Sequence, residues 1–301
     1  MSVQERLSAS IAKRAFMASY RGQAAEPAGE PPIALVLGTG DIASAIGREL
    51  FALGWAVVLL RDHSVPVLRR GMAFDDALEC GSAELDGVNA LLSPSAEALP
   101  PLLRARRGVV VANLDPAVAA SACGKVPDAI IDARMRKYAM PADIRPLAAC
   151  TIGIGPGFVA GGNVHAAIET LPGQEGGVVT LGTTANPTGK AVPLGGAGAE
   201  RFVYAPIAGP WQPQVPLGTW LDAGTIIGTL GEDSVLAPIG GCVRGMVRAA
   251  PGGVSRGSKL MEIDPRPEAT WRGIPPRARR IAAGVECALA TQTLDRIVAH
   301  A

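Results

Sequence analysis

The chain is poor in aromatics, in closely spaced cysteines, in histidine and in any excess of charge. Its 301 residues hold 28 Lys or Arg against 27 Asp or Glu, a net charge of +1. That balance leaves no electrostatic footprint for nucleic acid or an anionic membrane, so neither is expected as a partner. Five cysteines, Cys80, Cys123, Cys150, Cys242 and Cys287, stand far apart, with no C-x-x-C and no histidine close by. They offer neither a zinc-ligand spacing nor a disulfide framework, and no metal site is expected. No apolar run reaches the ~18–20 residues of a spanning helix, and no hydrophobic leader follows the N-terminal charges. A soluble, cytoplasmic protein is expected. A Tyr/Lys proton-donor pair is also missing, since Tyr138 lacks that context, and the catalytic residues stay unknown.

What is present is a large apolar share, 48%, broken by 37 Gly and 25 Pro into short elements joined by tight turns. Residues 1–32 combine a short helical pattern, "QERLSASIAKRAFMASY", with a polar linker. From residue 33 strands alternate with helices: strands at Ile33–Leu37, Ala56–Leu60 and Val109–Ala112, later ones over 129–131 and 151–154, and a helix over 43–53. This alternation predicts an α/β fold, a doubly wound Rossmann-like parallel sheet over residues 33–198. Beyond it, "VYAPIAG" (203–209) and "VLAPIGG" (235–241) repeat one another, and so do the stretches that follow them, 218–230 and 251–263. Two such copies predict a small pseudo-symmetric β unit over 199–267, each half covering the other's apolar face. Residues 268–301 close the chain with a helix that opens on Pro.

Gly38, Thr39, Gly40, Asp41, Ile42 and Ala43 fit G-x-G-x-x-A between a strand and a helix, the setting in which backbone N–H groups meet a phosphate. Asp41 opposes a simple phosphate reading, because a carboxylate in the loop repels one unless it binds a cation or a hydroxyl or caps the helix. After the second strand stand Arg61 and Asp62, which suit an extra phosphate and a ribose hydroxyl respectively. A second glycine-rich stretch, "TIGIGPGFVAGGNVHAAIET" (151–170), carries Gly155, Pro156, Gly157 and His165. Its pattern runs from strand into helix, pairing His165 with Glu169 four residues on. Asn186, Thr188 and Lys190 lie in a polar loop that could reach a phosphate. Cys150, just before the second glycine stretch, is a candidate for sulfur handling.

From residue 33 onward the chain resembles the YqeB-type selenium-dependent molybdenum hydroxylase system proteins, similar in their nucleotide-binding part to the XdhC-type xanthine dehydrogenase accessory factors. The likeness rests on "GTGDIASAIGRELFALGWAVVLLR", "LRRGMAFDDALECGSAELDGVNA", "IGIGPGFVAGGNVHAAIET", "NPTGKAVPLGG", "VYAPIAGPWQPQVPLGTWLDAGTIIG" and "PPRARRIAAGVECALA", all in one order. The family pattern places a paired arginine where Arg69 and Arg70 stand. The resemblance implies an accessory protein that matures a molybdenum-cofactor-dependent hydroxylase, with the apo-hydroxylase as client. It implies a molybdenum pterin dinucleotide as ligand, with Gly38, Gly40 and Asp41 at one end, Gly155, Gly157 and His165 at the other, and Arg69 and Arg70 neutralising phosphate. The β repeat looks like a barrel-sandwich hybrid of the lipoyl type, but "GEDS" at its hairpin tip lacks the carrier lysine, so docking or structure is expected of it. The alternatives are an NAD(P)-dependent oxidoreductase on the same loop and a non-enzymatic docking scaffold. Whether the chain forms a homo-oligomer stays open.

Overall fold

The computed structural model describes residues 30–136 and 138–299; the expected N-terminal helix lies outside them. A nine-stranded sheet forms the first layer. At its centre β1 (Ile33–Leu37) pairs in parallel with β2 (Ala56–Leu60), Ile33 opposite Ala56. On one side follow β5 (Val109–Ala112) and β4 (Val88–Ser93), both parallel, then β3 (Ser82–Leu85), antiparallel at the edge. On the other come β6 (Ala129–Asp132), β7 (Cys150–Ile154) and β9 (Ala166–Ile168), all parallel, and an antiparallel edge strand β10 (Val178–Val179). Strands β8 (Val159–Ala160) and β11 (Gly182–Thr183) pair separately.

The central strands IALVL, AVVLL and VVVA are buried end to end, a composition that suits only strands covered on both faces. Alternate residues supply the two covers. Ala34 and Val36 face helices α1 (Asp41–Ala52) and α5 (Pro276–Ala299). Ile33, Leu35 and Leu37 pack toward α3 (Leu99–Ala105) and α4 (Pro116–Ala122), through Leu99, Leu103 and Ala119. A one-turn helix α2 (Ala77–Cys80) follows β2 in the chain. Among the described residues no helix is long and apolar enough to cross a membrane.

The expectation of a doubly wound Rossmann-like parallel sheet followed by a lipoyl-like domain is corrected on both counts. The sheet is mixed, with an antiparallel strand at each edge. The second glycine stretch does not enter a helix. Gly155, Gly157 and Gly161 take φ of 83°, 90° and 78°, which turns the chain rather than winding it, and the buried run that follows pairs as β9. A short, wholly apolar run cannot declare by its period whether it is strand or helix. His165 and Glu169 therefore flank a strand instead of sharing a helix face.

The C-terminal helix α5 joins the cover that a helix after that loop would have supplied. Ile281, Ala282, Val285 and Leu289 are buried in the same core as α1 and β7. It comes close because Gly284 lies on Gly176, where an added Cβ would stand 2.4 Å from the Gly176 carbonyl oxygen. Backbone cannot yield there as a flexible side chain would. Gly284→Ala is expected to cost about 1–3 kcal/mol in urea unfolding; an unchanged midpoint would contradict this packing.

The second layer consists of β12 (Phe202–Tyr204), β13 (Gly209–Pro213), β14 (Trp220–Leu221), β15 (Ile226–Leu230), β16 (Asp233–Leu236), β17 (Gly241–Met246), β18 (Ala250–Val254) and β19 (Lys259–Asp264). They form two antiparallel sheets, β12-β19-β17-β14 and β16-β15-β13-β18. The order carries the repeat. Exchanging the copies, β12 for β16, β13 for β17, β14 for β18 and β15 for β19, turns one sheet into the other, and both enclose a core around Trp211, Ile227, Val243 and Leu260. This β unit is no free-standing lipoyl-like domain, because the connection after β2 is bonded into it: Met246 N–H donates to the Leu68 carbonyl, and the Arg70 guanidinium to the Met246 carbonyl.

Candidate functional site

Parallel strands leave their carboxyl ends on one edge, and the loops there converge on the β unit. Between the two layers lies a cleft of about 670 Å³, a volume suited to a small molecule. Gly38, Thr39, Gly40, Asp41 and Ile42 line it after β1, Asp62 after β2, Arg134 after β6, Pro156 after β7 and Thr170 after β9; Arg244 and Lys259 face them from the β unit.

The glycines of the first loop differ in what they require. Gly38 takes φ of 112°, and an added Cβ would press on the Ala133 carbonyl oxygen at 3.1 Å, so the fold itself demands glycine. Gly40 has φ of −71°, open to any residue, and a Cβ there would meet nothing within 4 Å. The protein leaves bare backbone facing the cleft at Gly40 without needing it for packing.

On either side of Gly40 a tie runs to the β unit. Thr39 donates its hydroxyl to Asp75, which pairs with Arg248 beyond β17. Asp41 accepts from Arg69 at 2.8 Å, and Arg69 donates to Glu262 of β19 at 2.7 and 3.1 Å. Burial pushes the Asp41 carboxyl up, but Arg69, with Arg277 and the Ile42 N–H, outweighs it and holds it below its ordinary value. Glu262 is wholly buried and also accepts from Arg201. Burial raises its carboxyl, yet Arg69, Arg244 and Arg201 together keep it lowered. Burial alone would lower Arg69, and the carboxylates on both sides raise it instead.

The expected site residues thus divide. Gly38, Thr39, Gly40, Asp41, Ile42, Asp62, Arg69 and Pro156 line the cleft, as do Asn186, Thr188 and Lys190. Arg69 and Arg70, expected to neutralise phosphate, are engaged in holding the layers together, Arg69 with Glu262 of β19 and Arg70 with the Met246 carbonyl of β17. Asp62 is held by Arg136 at 2.6 and 2.7 Å and by Ser64; burial pushes its carboxyl up, but these hydrogen bonds bring it to about 2. Arg61 pairs with Glu79, and Ala43 is buried on the inner face of α1. Gly155, Gly157 and His165 lie away from the lining; the Nδ1 of His165 accepts from the Thr151 N–H at 3.1 Å. Glu169 accepts backbone N–H groups of Leu171 and Ala185, both at 2.7 Å. Cys150 is buried in the sheet core. Among the described residues no group of three or more His, Cys, Asp or Glu could hold a metal ion.

The sequence left the sign of the cleft hidden. Nine Arg or Lys side chains line it against four Asp or Glu, and three further carboxylates behind the lining, Asp132, Glu262 and Asp264, pair with its arginines, which leaves a smaller cationic surplus in a chain whose total charge is +1. Six of its seven arginines have a carboxylate within 4 Å. The seventh, Arg277 in the first turn of α5, donates to the Thr170 carbonyl at 3.1 Å and pairs with no carboxylate among the described residues.

The chain is similar to a protein that itself has no assigned role. Over 258 residues it is 34% identical to the protein named YqeB of Escherichia coli strain K12, described as uncharacterized. The match covers 84% of this chain and 46% of that protein, so the chain spans about half the length of the curated relative it matches. This supports the YqeB-type resemblance; no relation to XdhC-type factors or selenium-dependent hydroxylases comes with it. No family model matches. Among solved structures, a succinylglutamate desuccinylase/aspartoacylase from Rhodobacter sphaeroides is 16% identical, covering 78% of this chain and 86% of its own, with a TM-score of 0.25. An aspartoacylase family protein from Mesorhizobium loti MAFF303099 is 13% identical, covering 79% and 87%, with a TM-score of 0.27. These matches correct the expected function. They are named as desuccinylases and aspartoacylases, not as molybdenum-cofactor maturation factors, and the accessory role is withdrawn together with its oxidoreductase and scaffold alternatives. At such TM-scores they pass no activity of their own to this chain.

Proposed function

We propose that this protein binds a small anionic molecule, nucleotides included, in the cleft between the nine-stranded sheet and the β unit, and that it does so in the cytoplasm. The observation that carries the reading is Gly40, a bare backbone position on a cationic cleft that packing leaves free to be any residue. An anion there is drawn by the surplus of guanidinium and ammonium groups, which act more strongly in a partly enclosed site than in open water. The start of α1, Asp41 and Ile42, lines the same cleft, although Asp41 takes the N–H of Ile42. The ligand therefore lies against the loop with its charge toward the cationic wall.

The reading is tested by thermal unfolding at low ionic strength with ADP, inorganic pyrophosphate and adenosine. A ligand at a hundred times its Kd adds about 2.7 kcal/mol of stability. ADP or pyrophosphate is expected to raise Tm, the rise shrinking as salt is added, while adenosine leaves it unchanged. An equal shift with adenosine, or none with either anion, would overturn the proposal.

A further inference from the structure

Resting on that reading, we infer that Arg277 takes the anionic group of the ligand while Asp41 takes a hydroxyl of the same molecule, so that the ligand is a hydroxylated phosphate: a sugar phosphate or the phosphoribosyl part of a nucleotide. Arg277 stands in the first turn of α5, the positive end of a 24-residue helix, where a cation is disfavoured. It is half-buried, and the other six cleft arginines have taken carboxylate partners that it lacks. Its tie to the Thr170 carbonyl uses one N–H and does not need the charge, and the buried face of α5 is carried by Ala278, Ile281, Ala282 and Val285. A guanidinium kept there without a counter-ion is a ready bidentate partner for an arriving phosphate.

Asp41 shapes the other half of the ligand. Its carboxylate and Arg277 line the same cleft, yet they are not within ion-pair distance. A group between them must present negative charge to Arg277 and a proton to Asp41. A phosphate ester carrying a nearby hydroxyl does both. An anion without a hydroxyl would approach the Asp41 carboxylate, screened only by its Arg69 pair, with no proton to offer it, and a neutral polyol would leave Arg277 without its counter-ion.

Titration calorimetry at low salt with ribose 5-phosphate, ribose and inorganic phosphate tests this on the full chain. Ribose 5-phosphate is expected to bind more tightly than phosphate, and ribose not to bind. Arg277→Gln should weaken ribose 5-phosphate roughly tenfold or more, the factor that one hydrogen bond to a charged group supplies. Arg277→Lys should recover part of the loss. Arg279→Gln, which removes a neighbouring cation that lies outside the cleft and pairs with Asp86, should change nothing. Far-UV circular dichroism and Tm confirm that each variant folds. If ribose 5-phosphate binds and Gly40→Ala weakens it but Arg277→Gln does not, this inference falls and the proposed function stands. If Arg277→Gln weakens it and Gly40→Ala does not, the anion site stands and the role of the loop falls. Equal affinity for phosphate and ribose 5-phosphate removes the hydroxyl contact, and no binding of either at millimolar concentration overturns both.

Discussion

Glu262→Gln is expected to destabilise the protein by about 3–5 kcal/mol in urea or thermal unfolding, the cost of removing one partner from a buried ion pair. Glu262 is fully buried, and three guanidinium groups converge on its carboxylate: Arg69 at 2.7 Å, Arg201 in direct contact and Arg244 at 3.9 Å. Two of these arginines already keep a buried Nε with no acceptor. The cluster has donors to spare and acceptors in short supply, so a neutral amide would turn N–H groups on N–H groups. The carboxylate also ends the tie that begins at Asp41 in the glycine loop. Its loss loosens the grip of the β unit on the sheet as well as lowering stability. Glu268, 71% exposed and 3.8 Å from Arg266, is the control, and its Gln variant should stay within about 0.5 kcal/mol of wild type.

The same substitution fixes a pH dependence. Because Glu262 is held below its ordinary value of 4.5 in the folded chain, its charge contributes stability that is fully present above about pH 4.5. That contribution is lost as pH falls through the folded value. The gap between wild type and Glu262→Gln should therefore narrow in acid and hold constant from mildly acidic to neutral pH. A gap under 1 kcal/mol at neutral pH, on the scale of an exposed pair, would contradict the buried cluster.

Gly40→Ala should separate binding from folding. With φ of −71° and open space where the methyl would go, the alanine variant is expected to keep its stability within about 0.5 kcal/mol, or to gain slightly from a stiffer unfolded chain. Affinity for the ligand should fall roughly a hundredfold or more, since a methyl displaces the bound group by more than an ångström and misaligns every contact it makes. Gly38→Ala is the contrast. That residue takes φ of 112° against the Ala133 carbonyl, so its alanine variant should lose stability first. Were Gly40→Ala to unfold the protein, or to bind as wild type does, the loop would be a turn and not a contact surface.

The first glycine loop was legible in the sequence because its signal is local: an apolar strand, two small residues and a helix that starts at once. The repeat was legible for a similar reason. Matching Pro, Ile and Gly positions near residues 206 and 238 fix matching turns, and the two sheets exchange under that match. The second glycine stretch misled because a buried strand of three residues has no period to distinguish it, and because the helix that helps cover it comes from the far end of the chain. Arg69 and Arg70 looked like phosphate partners since nothing local revealed Glu262, almost two hundred residues away. Arg277 sits inside "PPRARR", which by itself reads as a helix start. Its signal was nevertheless present, for a run of arginines in a first turn opposes the helix dipole and asks for an explanation.

The central claim is that the cleft holds a small anion on the Gly40 loop. The most direct measurement is to purify wild type and Gly40→Ala side by side from cells, denature both, and quantify the released small molecules by anion-exchange mass spectrometry. A phosphate-bearing molecule is expected to be released from wild type at close to one per chain and to be depleted from Gly40→Ala. Equal recovery from the two proteins, or release of a neutral molecule, would contradict it.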